Sequence, residues 1–257
     1  MNCGLKYVTG KYLTLLDADD EFLQGSFSRR AEYLDRNPDF VGVRTNGYFD
    51  CHGERSLFDR DPERNTNTDL FGGLVGGVAT NWAGSYMIRT DALFAFYPDR
   101  EIYPSRFGQN MQLLLPVSYK NKFGYIDEPY MVYYLRDDSH SRASTESERL
   151  EKERRNLYGY NDIYKHMIDL VVKDVAEHDR YMNIVDSWVF GYEMRAAIRE
   201  RELVKMKIYF EKYRKTGLMS LNEKIDYYSV INPPLAIILR FVRRLRLPLA
   251  KRKRTTK

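Results

Sequence analysis

The segment Tyr12-Leu13-Thr14-Leu15-Leu16 runs straight into Asp17-Ala18-Asp19-Asp20. A short, nearly continuous apolar run that stops on a cluster of acids has the profile of a buried strand emptying into an acidic loop. In an open α/β sheet, side chains at the carboxyl ends of the strands face the crevice where ligands bind. Asp17 and Asp19, one residue apart in such a turn, can reach one divalent cation. Carboxylates with water suit magnesium or manganese, and such a cation bridges to a diphosphate. An isolated Asp-x-Asp is also what a plain acidic turn looks like, so the flanking sequence has to decide.

The first half of the chain mixes strand and helix patterns. Apolar Phe27, Ala31 and Leu34 at helical spacing predict a helix over 26–36 that stops before Pro38. Strand patterns follow at 40–49, with a turn at Gly53 and a return over 56–58. A short helix over 68–74 leads into the glycine pairs 72–73 and 76–77. Residues 82–89 form the next strand pattern, Asp91 caps a short helix, 108–120 is a helix containing Pro116, and 123–135 is a strand interrupted at Asp127-Glu128-Pro129. From about Thr145 the strand patterns cease and charged helical stretches cover 146–173, 179–200 and 202–215. The expected organisation is therefore an α/β domain over 1–145 and a helical region over 146–257.

Charge is unevenly distributed. The net +5 of the 257 residues divides into nine Lys or Arg and no acid over 240–257, against 32 bases and 36 acids elsewhere. A slightly acidic body argues against a nucleic-acid groove across it, since phosphate binding needs clustered cations on the contact face. Cys3 and Cys51 are too few for a disulfide framework or a four-thiolate site, which fits a reducing, cytoplasmic setting.

Several short motifs occur in a consistent order: Asn2-Cys3-Gly4, Gly10-Lys11-Tyr12, Asp17-Ala18-Asp19-Asp20, Gly84-Ser85-Tyr86, Gly108-Gln109-Asn110 ahead of Leu113, and Tyr134-Leu135-Arg136 followed by Ser139 and Ser141. In this order they resemble family 2 glycosyltransferases of the GT-A fold over about residues 2–142. The resemblance implies a Rossmann-like nucleotide-diphospho-sugar transferase sheet. It gives Asp17 and Asp19 the metal, Asp17, Asp19, Asp20 and Arg136 the donor diphosphate and sugar, and Trp82, Gly84, Gln109 and Asn110 the acceptor side. Domains of that type carry further βαβ units before Asp-x-Asp, roughly 60–90 residues, so the expected fold class is a partial GT-A sheet followed by helices.

Two adjacent positions, Gln109 and Asn110, depart from the family's Glu-Asp pair. Inverting sugar transfer needs a base to take the acceptor hydroxyl proton, and the family's acidic residue is matched here by Asn110. An amide donates and accepts hydrogen bonds but takes up no proton near neutral pH. Asp99 and Glu101 are the candidate substitutes, with Asp127 and Glu128 behind them. His140 follows Arg136 as an alternative ligand, and Tyr103 and Tyr125 are candidate sugar-stacking rings.

In the tail, Leu235, Ile238, Leu239, Val242 and Leu245 recur at helical spacing with Arg240, Arg243 and Arg244 around them, between Pro233-Pro234 and Pro248. Such a helix can lie in an anionic membrane interface or pack its leucines on the domain. The expected function is metal-dependent, inverting transfer of a sugar from a nucleotide-diphosphate donor, a UDP-sugar first, to a polysaccharide or lipid-linked acceptor. The enzyme would be cytoplasmic and peripheral at the inner membrane face, with no nucleic-acid partner. The alternative is a truncated, non-catalytic remnant or membrane-surface binding protein, favoured by the expected missing first half and by the amide pair Gln109 and Asn110.

Overall fold

The computed structural model describes residues 1–61, 65–79, 81–136, 145–232 and 234. His140, Ser139, Ser141 and the basic segment 235–257 lie outside the described residues. The chain divides into two compact units, Met1–Met182 and Asn183–Lys257.

The first unit is built on α1 (Asn2–Leu5), β1 (Tyr12–Leu13), β2 (Glu21–Phe22), α2 (Ser26–Arg36), β3 (Phe40–Cys51), β4 (Glu54–Leu57), α3 (Leu70–Val75), β5 (Tyr86–Arg89), α4 (Thr90–Phe96), α5 (Gln109–Ser118), β6 (Lys122–Tyr134) and α6 (Glu146–Val171). Among the described residues the strands form one mixed sheet in the order β1-β5-β3-β6-β2, with β4 folded back on β3. β3 and β6 are parallel and every other pairing is antiparallel. The mixed sheet with its helices has the α/β character expected, and α2 has the expected bounds. Asp127 and Glu128 bulge out of β6 between the Thr45–Ile126 and Asn46–Pro129 pairs, which is the interruption read in the sequence.

The run over 12–16 is regular strand only at Tyr12–Leu13, on the edge of the sheet against β5. Beyond Leu13 the carbonyl of Tyr86 accepts from the Thr14 hydroxyl at 2.6 Å and from Arg30 at 3.0 Å. Side chains therefore replace the ladder where the chain turns toward Asp17. Likewise β5 begins at Tyr86 rather than at Trp82. Residues Trp82 to Ser85 close a turn in which Ser85 N–H donates to the Trp82 carbonyl at 3.0 Å.

α5 is buried along its length from Met111 to Ser118. Pro116 lacks the N–H that would reach the carbonyl of Gln112, and the Tyr97 hydroxyl donates to that carbonyl instead, at 3.0 Å. Asp91 is not the cap of α4: Arg89 holds that position, and Asp91 lies in the first turn. α6 opens with a capping box between Thr145 and Glu148 and packs against α5. The approach is close, since a β-carbon on Gly159 would fall 2.3 Å from the Phe107 ring.

α7 (Val175–Glu200) crosses the division between the units. In the second unit α8 (Leu203–Lys215) and α9 (Leu221–Ile231) enclose Met194, Ala197, Met206, Phe210, Tyr213, Met219 and Tyr227, with Phe210 and Tyr227 stacked at 3.6 Å. The sequence reading did not anticipate α9. Its signal was present as Ser220-Leu-Asn-Glu223, a capping box that forms in full.

Candidate active site

Where β1 ends, the chain makes a turn closed by Asp20 N–H donating to the Asp17 carbonyl at 3.1 Å. This turn opens onto a cleft of about 330 Å³ lined, among others, by Asp17, Trp82, Arg106, Gln109, Asn110 and Tyr133. The cleft thus brings together Asp17, Trp82, Gln109 and Asn110 from segments far apart in sequence. Asp19, Asp20, Gly84 and Arg136 are not among its lining residues.

Burial raises the Asp17 carboxyl above the ordinary aspartate range, and the negative charge of Asp19 adds to the effect. Asp20 is pushed up to about 6, foremost by burial. A hydrogen bond from the Tyr134 N–H opposes this, the charges of Asp19 and Asp17 add to it, and Arg136 opposes it. Asp20 Oδ1 accepts that N–H at 3.2 Å, while Oδ2 is buried without a partner among the described residues. Asp17 and Asp20, each with the charge of Asp19 nearby opposing its ionisation, are an environment that a divalent cation relieves. Among the described residues no three His, Cys, Asp or Glu side chains enclose a metal on their own. That donor set fits magnesium or manganese, which bind through one or two carboxylates and take their remaining oxygens from phosphate and water.

Part of the cleft lining is aromatic. The Trp82 ring lies 5.5 Å from Tyr133, 5.1 Å from Phe49 and 5.6 Å from Phe58. Gly84 shapes the turn that presents Trp82. Its φ of 85° is open to glycine, and a β-carbon there would meet Leu16 at 2.9 Å and Met131 at 3.0 Å. The Gly84 carbonyl accepts from Arg30 at 2.9 Å. Asn110, second residue of α5, accepts a hydrogen bond on Oδ1 from the Tyr86 hydroxyl at 2.9 Å. Tyr86 is fully buried, which drives its phenol well above the ordinary value and keeps it a donor.

The candidate substitutes for a base lie elsewhere. Asp99 is exposed and does not line the cleft. Glu101 pairs with Lys6 at 2.7 Å on the surface, and that lysine holds its carboxyl below the ordinary range. Asp127 accepts from Asn46 at 3.0 Å, and Glu128 from the Tyr130 hydroxyl. Arg136 borders a neighbouring hollow with Asp50, His52 and Tyr134. Tyr103 stacks on His166 at 4.3 Å and Tyr125 lies under Arg44, so neither ring faces the cleft. Tyr133 and Tyr160 do line it, and sequence reasoning missed both. Tyr133 directly precedes the quoted Tyr134-Leu135-Arg136, while Tyr160 sits on α6 beyond the expected domain boundary.

Asn2 has a visible role. Its amide exchanges two hydrogen bonds of 3.0 Å with the backbone of Ile102, tying α1 to the loop that enters α5.

Residues 1–94 match the sequence profile of Glycosyl transferase family 2. The minor teichoic acid biosynthesis protein GgaB of Bacillus subtilis (strain 168) is 26% identical over 179 residues, a stretch that covers 66% of this chain. The match spans 18% of the length of that relative. The matched profile contains Asp17, Asp19, Trp82 and Gly84, whereas Gln109, Asn110, Tyr133 and Tyr160 lie beyond it. Through residues 1–94, the chain is similar to glycosyl transferase family 2.

Proposed function

We propose that this chain transfers a sugar from a nucleotide-diphosphate donor, a UDP-sugar first among the candidates, to a polysaccharide or lipid-linked acceptor, with inversion at the anomeric carbon. The observation that carries this reading is the convergence of Asp17, Trp82, Gln109 and Asn110 on one cleft. Asp17 and Asp19 would hold magnesium or manganese against the diphosphate, with Arg136, whose charge is felt at Asp20, as its counter-ion. Bound there, the cation supplies neutralisation of the charge that develops on the leaving diphosphate. Trp82 and Tyr133 offer ring faces to the sugar, and Gln109 and Asn110 orient the acceptor by hydrogen bonding.

The test is UDP release by the full chain with manganese and a panel of UDP-sugars. Asp17→Asn should lower the rate at least about a hundredfold, the scale of losing several kcal/mol of charge stabilisation. An unchanged rate in that variant, or no release from any donor in the panel, would contradict the reading.

A further inference from the structure

The cleft contains more hydrogen-bond donors than its own residues can satisfy. Arg106 is exposed and forms no ion pair among the described residues. Asn110 has its carbonyl oxygen occupied by the Tyr86 hydroxyl, which fixes the amide, and its Nδ2 has no acceptor among the described residues. Asn81 Nδ2 and Trp82 Nε1, on two further lining residues, are buried with no partner among the described residues. Buried donors left unpaired are costly, so their concentration around one cleft marks a place where an acceptor-rich ligand completes the structure.

The same cleft is poor in groups that take up a proton. Among the described lining residues Asp17 is the one carboxylate, and it belongs to the acidic turn. A hydroxyl acceptor entering beside Asn110 meets donors and no base. An oxygen that is already ionised needs no base.

We infer that the acceptor's attacking group is a phosphate, seated on the Arg106 guanidinium and the Asn110 amide, with Asn81 and Trp82 as further donors. This rests on the glycosyltransferase reading above and names the acceptor class for that site. Phosphate presents several charged oxygens, which match a guanidinium together with separate N–H groups. In the step, a phosphate oxygen uses a lone pair to form a bond to the anomeric carbon. The bond from that carbon to the nucleoside diphosphate breaks, and its electron pair leaves on the diphosphate. No proton moves, so an amide at position 110 suits this chemistry.

The donor's own diphosphate shares the chemistry of such an acceptor, and the experiment separates them. The full chain carrying Trp188→Phe keeps Trp82 as its one tryptophan, a fluorescence reporter in the cleft. It is titrated with glucose, glucose 6-phosphate and inorganic phosphate, and separately with UDP and manganese. The two phosphates should act at concentrations at least about tenfold below glucose, and Arg106→Ala and Asn110→Asp should each erase that preference. UDP affinity should stay within about twofold in both variants. Equal titration by glucose and glucose 6-phosphate would overturn the inference. So would an Arg106→Ala variant that loses UDP affinity while keeping the phosphate preference, because the anion on Arg106 would then be the donor's. Absence of UDP binding in the parent chain defeats the nucleotide-sugar reading and the reaction step with it. The phosphate preference, measured without UDP, still decides whether the anion site exists.

Discussion

Arg30 carries a full charge into the interior without a carboxylate among its hydrogen-bond partners. Its guanidinium donates to the carbonyls of Ser26, Gly84 and Tyr86 at 2.8 to 3.0 Å and to the hydroxyl of Ser26, and it lies 5.2 Å from the Phe22 ring. Burial lowers it to about 10, which leaves it charged at neutral pH. Through these bonds one side chain ties α2 to the start of β5 and to the turn behind Trp82. Arg30→Met would strip the Gly84 carbonyl of its Arg30 donor and leave the Tyr86 carbonyl with the Thr14 hydroxyl alone. It should cost about 3 kcal/mol or more in a urea titration, and a loss under about 1 kcal/mol would show that the bonds contribute little. In the sequence Arg30 reads as a polar position beside Arg29 on an amphipathic helix, because two of its partners, the Gly84 and Tyr86 carbonyls, lie more than fifty residues away. Asp17 and Trp82 were legible because the acidic cluster and the glycine turn are local signals.

Elements with local punctuation had the bounds expected of them, and elements defined by tertiary partners did not. α2 starts after Gly25, whose φ is 83°, and ends just before Pro38, so both limits are written in the chain. The strand over 12–16 shortened to two residues because Thr14 and Arg30 take over the carbonyl that a longer ladder would use. The junction of α6 and α7 is held partly by His178, whose Nε2 lies 2.7 Å from Asp169 Oδ1 and whose Nδ1 lies 3.6 Å from Asp179 Oδ1. The hydrogen bond to Asp169 raises the histidine above 6.5, helped by Asp179 and opposed by partial burial. A raised folded value means that the stabilisation is complete below the unfolded value and is lost as pH rises through the folded one. The thermal midpoint should therefore fall slightly between pH about 6 and pH about 8, a small effect because the pair is largely hydrated. Asp169→Asn should flatten that slope, and an unchanged slope would remove the pair from the pH response.

For the whole molecule, the charge division sets the expected behaviour. A body with 32 bases and 36 acids is joined to a segment of nine bases. Among the described residues no helix is long and apolar enough to cross a membrane. If the basic segment lies on a membrane surface, each cation near anionic lipid contributes about 1 kcal/mol and the contribution fades within a Debye length. The full chain should then co-sediment with vesicles containing phosphatidylglycerol at low salt and not with purely zwitterionic ones. Removing residues 235–257 should abolish the difference. Retention by both vesicle types alike would assign the binding to something other than charge.

At the same scale, the chain's assignment to sugar transfer depends on whether the acidic turn and the cleft act together on a nucleotide. Titration calorimetry of UDP into the full chain, with and without manganese, addresses this without knowledge of the sugar or the acceptor. Saturable UDP binding that requires manganese and disappears in both Asp17→Ala and Asp19→Ala is the expected result. Binding that is absent, or that persists unchanged in those variants, would contradict it.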